Sequence, residues 1–208
     1  MVNSCLSIVP FYRGYLHRSF TSSGLIQQNI QIDSETHIYF WGPPPGLFKS
    51  KHPLVLIHGF GPCGFWQWRN QIPFLSRHFD LYAPDLLFFG ESTTTSLERS
   101  NIFQATCLTK LLEKLELPRY YVMGTNYGGF VAYQMARLWP KRVEKLVIAS
   151  SAINRNLDDD TDLLELTKLD KIEDLLIPIN YKNFRLLMEI TMKKRVSSVS
   201  DFILSDIL

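Results

Sequence analysis

The chain has 208 residues, of which 46% are apolar and 13% aromatic, and its formal net charge is +2. This composition supports one packed core and excludes an intrinsically disordered chain, while the small net charge gives no electrostatic case for nucleic acid as a partner. No apolar run approaches the roughly 20 residues of a transmembrane helix.

Residues 1–29 are predicted to form a basic amphipathic arm, since no acidic residue occurs before Ile32. The favoured interpretation is an arm that packs on the following domain. Organellar import and attachment to a membrane surface are the alternatives. The cysteines are few and odd in number, which fits reduced thiols and favours a cytoplasmic protein. They are Cys5, Cys63 and Cys107.

Residues 30–153 are predicted to form an α/β domain. Two strands joined by a turn at Asp33-Ser34 come first, and four apolar strands separated by helices follow. This alternation is typical of a mostly parallel sheet with helices on both faces. The predicted elements are strand Leu54–Ile57, helix 65–79, strand Leu81–Ala83, helix Ser100–Leu115, strand 120–124, helix Tyr127–Trp139 and strand 143–152.

Residues 154–208 have a different pattern, with acidic and then basic helical segments and no predicted strand. We expect them to form a partial helical cap over the domain. The sequence stops at Leu208 inside an apolar stretch, SDFILSDIL. That ending predicts a C-terminally truncated protein whose sheet lacks its last strands.

The stretch YVMGTNYGGF, residues 121–130, runs from an apolar strand through a Gly-rich corner into a helix. Such a corner, here called the elbow, holds one side chain above the carboxyl edge of the sheet. Its backbone folds back on itself, so small residues are needed two positions to either side. Gly124 and Gly128 meet that need around Asn126, and Gly129 allows close helix–sheet packing. A nucleophile is expected at this position, and an asparagine amide is a very poor one.

A second loop, HGFG, leaves a neighbouring strand at the same edge of the sheet. The backbone N–H groups of Phe60 and Tyr127 are predicted to form a pair of donors directed at one oxygen. The rest of this loop is His58, Gly59 and Gly61. We expect the imidazole of His58 to be hydrogen-bonded within the loop rather than to bind a ligand.

Four segments in this order resemble the α/β-hydrolase family, and specifically its plant-type esterase/lipase-like branch. The resemblance covers roughly residues 30–205. It implies that Asn126 lies at the nucleophile position, that Phe60 and Tyr127 are the oxyanion donors, and that the ligand is a small apolar ester-like molecule, with no cofactor and no metal. The segments are HGFG at 58–61, APDLLFFGES at 83–92, GTNYGGFVAY at 124–133 and RVEKLVIAS at 142–150.

Two features depart from the family pattern. The elbow serine is replaced by Asn126, and all five histidines precede the elbow, so none is available as the later general base. We therefore expect an acyl-ester hydrolase lineage with an inactive chain. One alternative is a non-catalytic protein that keeps the pocket and binds a small molecule. Another is a working carboxylesterase or lipase completed by missing sequence or by a partner.

Two further expectations concern reactivity and association. Cys63, beside the second loop, is predicted to be a buried spectator rather than a thiol nucleophile, since no base is placed for it. The strand Lys145–Ser150 is predicted to present an open apolar edge, because further strands would follow it in a complete sheet. Open edges pair with other chains, so we expect self-association through this edge.

Overall fold

The computed structural model describes residues 9–46, 50–61, 64–154, 158–191, 200–201 and 204. The chain divides into two compact units, one of Tyr15–Ile153 and one of Met1–Gly14 with Asn154–Leu208. Cys5 and Cys63 lie outside the described residues. Within the described part, no helix has the length and apolar character to cross a membrane.

A seven-stranded sheet organises the larger unit. Its strands are β1 (Ile26–Gln31), β2 (Thr36–Gly42), β3 (His52–Ile57), β4 (Phe79–Pro84), β5 (Thr93–Thr94), β6 (Tyr120–Thr125) and β7 (Val143–Ala149). The order is β1-β2-β4-β3-β6-β7, with β5 paired to β2. The adjacent strands β4, β3, β6 and β7 pair in parallel, whereas β2 pairs antiparallel with β1, β4 and β5.

Helices precede, connect and follow these strands. Those that begin before Ile153 are α1 (Val9–Ser22), α2 (Gly64–Trp68), α3 (Ile72–Leu75), α4 (Asn101–Lys114) and α5 (Tyr127–Leu138). The smaller unit contains α6 (Asp159–Thr167), α7 (Ile172–Leu176) and α8 (Tyr181–Thr191). Its described residues include no strand. The assignment of 154–208 as a cap stays a prediction.

Both faces of the central strand β3 are buried. Val55 and Ile57 of β3 belong to the main core cluster, together with residues of α4 and α5. Successive strand residues point to opposite faces, so Leu54 and Leu56, also buried, face the other side. On β2, the ring of Trp41 packs edge-to-face against Phe20 of α1. The predicted α/β class, a mostly parallel sheet between helices, is confirmed.

The prediction of one helix over residues 65–79 is wrong. The segment forms α2 and α3, separated by a turn at Arg69–Gln71. Pro73 lies in the first turn of α3, and proline fits a helix start but breaks a helix interior. The apolar spacing of this segment therefore continues across a break in the hydrogen bonding.

One strand was missed in the sequence interpretation, and another begins earlier than predicted. The strand β5 has only two residues and is recognisable only through its pairing with β2, where Thr93 lies opposite His37. The strand β1 begins at Ile26, inside the segment 1–29 that was predicted as an arm. Before it, Leu16 and Phe20 of α1 are buried, so the later part of that segment packs in the larger unit.

Candidate functional site

The elbow between β6 and α5 is built around an unusual backbone conformation. Asn126 has φ 51° and ψ −122°, in a region that most side chains avoid and that asparagine tolerates comparatively well. Its N–H donates to the carbonyl of Ala149 at 3.2 Å, and its carbonyl accepts from the N–H of Gly129 at 3.0 Å. The corner is thus tied both to the end of β7 and to the first turn of α5.

The elbow glycines lie where the chain approaches itself closely. A Cβ on Gly124 would lie 2.2 Å from the carbonyl oxygen of Gly128, and a Cβ on Gly128 would lie 2.3 Å from that of Ile57. A Cβ on Gly129 would meet the side-chain oxygen of Ser151 at 2.4 Å. Real Cβ contacts are essentially never this short, so a larger residue at any of the three would displace its neighbour.

The two glycines of the HGFG loop differ. A Cβ on Gly59 would lie 2.6 Å from the Cβ of Asn126, whereas a Cβ on Gly61 would meet nothing within 4 Å. Gly59 is therefore part of the contact between the two loops. Gly61 has no such steric role.

The side chain of Asn126 points into the position where a substrate oxygen was expected. Its Oδ1 accepts a hydrogen bond from the N–H of Phe60 at 3.1 Å and another from the N–H of Tyr127 at 2.7 Å. These are the two donors that the sequence placed in the oxyanion pair. They do converge on one oxygen, but that oxygen belongs to the chain itself.

His58, two residues before Phe60 in the same loop, is 1% exposed. Its Nε2 accepts from the N–H of Leu86 at 2.9 Å, so the ring proton is on Nδ1, which donates to the carbonyl of Gly59 at 2.7 Å. Burial lowers the pKa of His58 to about 4, which keeps the ring neutral at physiological pH. With both nitrogens engaged, His58 supports the loop and has no nitrogen left to act as a base.

A buried carboxylate, which the sequence reasoning did not single out, joins the neighbouring loops. Asp85 follows β4, and its two oxygens accept from the N–H groups of Gly64, at 2.8 Å, and Glu91, at 3.2 Å. The hydroxyl of Ser92 donates to the carbonyl of Asp85 at 2.7 Å and accepts from the N–H of Tyr39 at 3.0 Å. An acidic residue directly after an apolar strand was the only available sign of this role.

Aromatic side chains form a cluster beside the elbow. The ring of Phe89, also missed at the sequence level, lies 5.6 Å from that of His58, 5.3 Å from that of Phe60 and 6.4 Å from that of Tyr127. Phe60 is 59% exposed. Tyr127 is partly buried, and this burial raises the pKa of its phenol. Asn126, itself exposed, therefore lies next to this aromatic cluster, since its Oδ1 accepts from the N–H groups of Phe60 and Tyr127.

The remaining chemistry-bearing residues do not gather at the elbow. Among the described residues, no group of three or more His, Cys, Asp or Glu side chains is arranged to hold a metal ion. Cys107 of α4 is buried, and burial raises its thiol pKa to about 11. A protonated, buried thiol is a poor nucleophile.

Comparison with known proteins identifies a family model that includes most of the larger unit. A family model described as alpha/beta hydrolase fold matches residues 52–175. Two solved structures share the fold at low sequence identity. A membrane phospholipase A, described as a bacterial virulence factor, is 20% identical with a TM-score of 0.73, covering 95% of this chain and 62% of that one. Cfl2 from Burkholderia cenocepacia is 21% identical with a TM-score of 0.65, covering 88% and 64%.

Curated relatives match about half of this chain. Abhydrolase domain-containing protein abhd-5.2 of Caenorhabditis elegans is 33% identical over 50% of this chain and 24% of its own length. A soluble epoxide hydrolase of Corynebacterium sp. is 36% identical over 48% and 34%. The 1-acylglycerol-3-phosphate O-acyltransferase ABHD5 of Rattus norvegicus is 34% identical over 48% and 29%. The matched segments thus span less than half of these relatives.

Proposed function

The chain belongs to the α/β-hydrolase family, and from this premise we propose that it does not hydrolyse acyl esters. One observation carries the proposal: Oδ1 of Asn126 accepts hydrogen bonds from the N–H groups of both Phe60 and Tyr127. The elbow therefore has no nucleophile, and its two donors are already satisfied.

The size of the catalytic loss follows from how such sites work. Nucleophile, base and acid act as a unit, and a serine protease that has lost them retains only about 10³-fold over water from its oxyanion hole and substrate binding. Here a substrate oxygen would first have to displace Oδ1 from two donors. Each such hydrogen bond contributes about 1 kcal/mol net, so displacing Oδ1 would reduce the residual rate enhancement further.

A non-catalytic binding role is the second candidate. It is supported by the aromatic cluster beside Asn126, in which Phe60 is 59% exposed and Phe89 contacts both Phe60 and Tyr127. Such a cluster suits a small apolar, ester-like ligand. We also propose that the chain belongs to the plant-type esterase/lipase-like branch of the family. Residues 154–208 would form its helical cap.

An active hydrolase completed by further sequence or by a partner chain is the competing proposal. It needs a nucleophile at residue 126 and a base from outside residues 1–208, since all five histidines precede the elbow and His58 is fully engaged. Turnover by Asn126→Ser that appears only when the further sequence or the partner chain is present would favour this competitor.

The test is hydrolysis of p-nitrophenyl acetate by the wild-type chain, Asn126→Ser and Asn126→Ala. We expect none of the three to exceed a heat-denatured control, because a serine hydroxyl without a base keeps its proton at neutral pH. Turnover by the wild type that Asn126→Ala abolishes would overturn the proposal. Turnover by Asn126→Ser alone would reveal a base that the described residues do not provide.

A further inference from the structure

The hydrogen bonds at the elbow determine which way the Asn126 amide faces. Both the Phe60 and the Tyr127 main-chain groups are N–H donors, so the atom they meet must be the acceptor Oδ1. An amide nitrogen carries two N–H groups and cannot accept in this way. The orientation of the amide is therefore fixed by donor chemistry.

The other half of the amide, Nδ2, remains available. Asn126 is exposed, and its side-chain hydrogen bonds to described residues both involve Oδ1, with none from Nδ2. The two residues whose N–H groups meet Oδ1, Phe60 and Tyr127, both have rings that contact the ring of Phe89. A ligand whose apolar part covers these rings would also exclude water from Nδ2, and a hydrogen bond is stronger in such surroundings than in bulk water. Where a hydrolase elbow holds a nucleophile, this one holds a pair of donors.

We propose that Nδ2 of Asn126 donates a hydrogen bond to the carbonyl or carboxylate oxygen of an acyl-chain ligand, whose chain lies on the aromatic cluster. This inference rests on the proposed non-catalytic binding role. The ligand class follows from complementarity: the elbow supplies donors for an oxygen, and the rings of Phe60 and Phe89 supply apolar contact. The oxygen belongs to a free acid or to an ester.

The experiment is titration calorimetry with three probes that share one chain length: decanoate, methyl decanoate and decylammonium. Decanoate and its methyl ester accept hydrogen bonds and distinguish the free acid from the ester, whereas decylammonium only donates. The central variant is Asn126→Asp, which keeps an oxygen for the N–H groups of Phe60 and Tyr127 and replaces the outward NH₂ by an oxygen. Asn29→Asp, an exposed position on β1 at the far side of the sheet, is the matched control for the added charge.

We expect the wild type to bind decanoate, methyl decanoate or both, and decylammonium more weakly. In Asn126→Asp the affinity for the oxygen-bearing probes should fall at least tenfold, while that for decylammonium should rise. Asn29→Asp should leave all three affinities unchanged. Asn126→Ser provides a second readout, because it removes the outward donors without adding charge and should weaken only the oxygen-bearing probes.

Three results would overturn the inference: no binding of either oxygen-bearing probe by the wild type, unchanged affinity in Asn126→Asp, or a loss shared equally by decylammonium. Thermal melts of the variants show whether a loss of binding reflects unfolding. We expect Asn126→Asp to remain folded, because Asp is as good a helix N-cap as Asn. Release of decanoate from methyl decanoate by the wild type would instead contradict the proposed inactivity. The two proposals therefore fail on different readouts.

Discussion

Strands β3 and β7 flank β6 on opposite sides, have similar apolar sequences and are in very different environments. Residues Leu54–Ile57 of β3 are all 6% exposed or less, whereas Val147 and Ile148 of β7 are 49% and 37% exposed. The strand β3 has a partner on each side, while β7 pairs only with β6 among the described strands. An apolar run therefore indicates a strand, and the neighbouring strands and helices decide how deeply it is buried.

The largest expected effect is a loss of stability on substituting Gly128, which we compare with the same substitution at Gly129; both glycines lie in the first turn of α5. Gly128→Ala would place its Cβ 2.3 Å from main-chain carbonyl oxygens of Ile57 and His58, at the end of β3, and 2.8 Å from the main-chain carbon of Ile57. Gly129→Ala would instead meet mainly the side chain of Ser151, just after β7. We expect Gly128→Ala to lower the free energy of unfolding by more than about 4 kcal/mol, and Gly129→Ala by clearly less.

Urea unfolding followed by circular dichroism measures both variants. Gly61→Ala is the matched control, since a Cβ there meets nothing within 4 Å, and it should lie near the wild type. Equal losses for Gly128→Ala and Gly129→Ala would show that the β7 side of the elbow is as rigid as the β3 side.

The next largest expected effect is the loss of stability on replacing an isoleucine by alanine, compared between β3 and β7. Ile57 is fully buried and Ile148 is 37% exposed. Ile57→Ala should cost about 2–5 kcal/mol, the usual range for a buried large-to-small change, whereas Ile148→Ala should cost less than about 1 kcal/mol. Thermal or urea unfolding compares the two directly. A similar loss for both would mean that the exposed part of Ile148 is covered in solution.

The buried end of β3 should also respond to pH. Burial lowers the pKa of His58 from 6.5 to about 4, so between these values the unfolded chain binds a proton that the folded chain does not. The stabilisation from the neutral ring is complete above pH 6.5 and is lost as the pH falls towards 4. The loss should be roughly 3 kcal/mol.

Unfolding free energies measured across this window test the assignment. His58→Gln keeps a neutral acceptor for the N–H of Leu86, so its stability should fall less steeply between pH 6.5 and 4 than that of the wild type. Carboxylates such as Asp33, whose pKa its hydrogen bond to Lys110 lowers, titrate in both proteins. Parallel curves for the two proteins would contradict the titration of His58.

The smallest expected change in stability concerns the edge of β7 that has no partner among the described strands, through which we propose self-association. Val147→Lys on this edge should change the free energy of unfolding by less than about 0.5 kcal/mol, as for most exposed positions. It should nevertheless reduce light scattering by the purified chain, because charged residues on an edge strand oppose pairing with another chain. Leu97→Lys, at a residue 88% exposed in a loop, is the control and should not reduce scattering. A monomeric wild type with a cooperative melt above about 60 °C would show that the edge is protected.

Much of the architecture was present in the sequence because it depends on local patterns. Apolar runs of strand length predicted β3, β4, β6 and β7, and the glycines around Asn126 predicted a corner, since their spacing is set by one local backbone path. Where a local pattern was ambiguous, the prediction was wrong: residues 65–79 have helical spacing, yet Pro73 begins a second, separate helix.

The chemical state of the elbow was decided only by the tertiary structure. The sequence determined that residue 126 is an asparagine and that Phe60 and Tyr127 have N–H groups to donate. It did not determine that Oδ1 would satisfy both, because the bond from Phe60 joins residues 66 positions apart and exists only once β3 and β6 lie side by side. Likewise, the tautomer of the His58 imidazole is determined by the N–H of Leu86, 28 positions away. Hydrogen bonds of this kind depend on strand order and on a few ångströms of distance, which no local pattern of residues encodes.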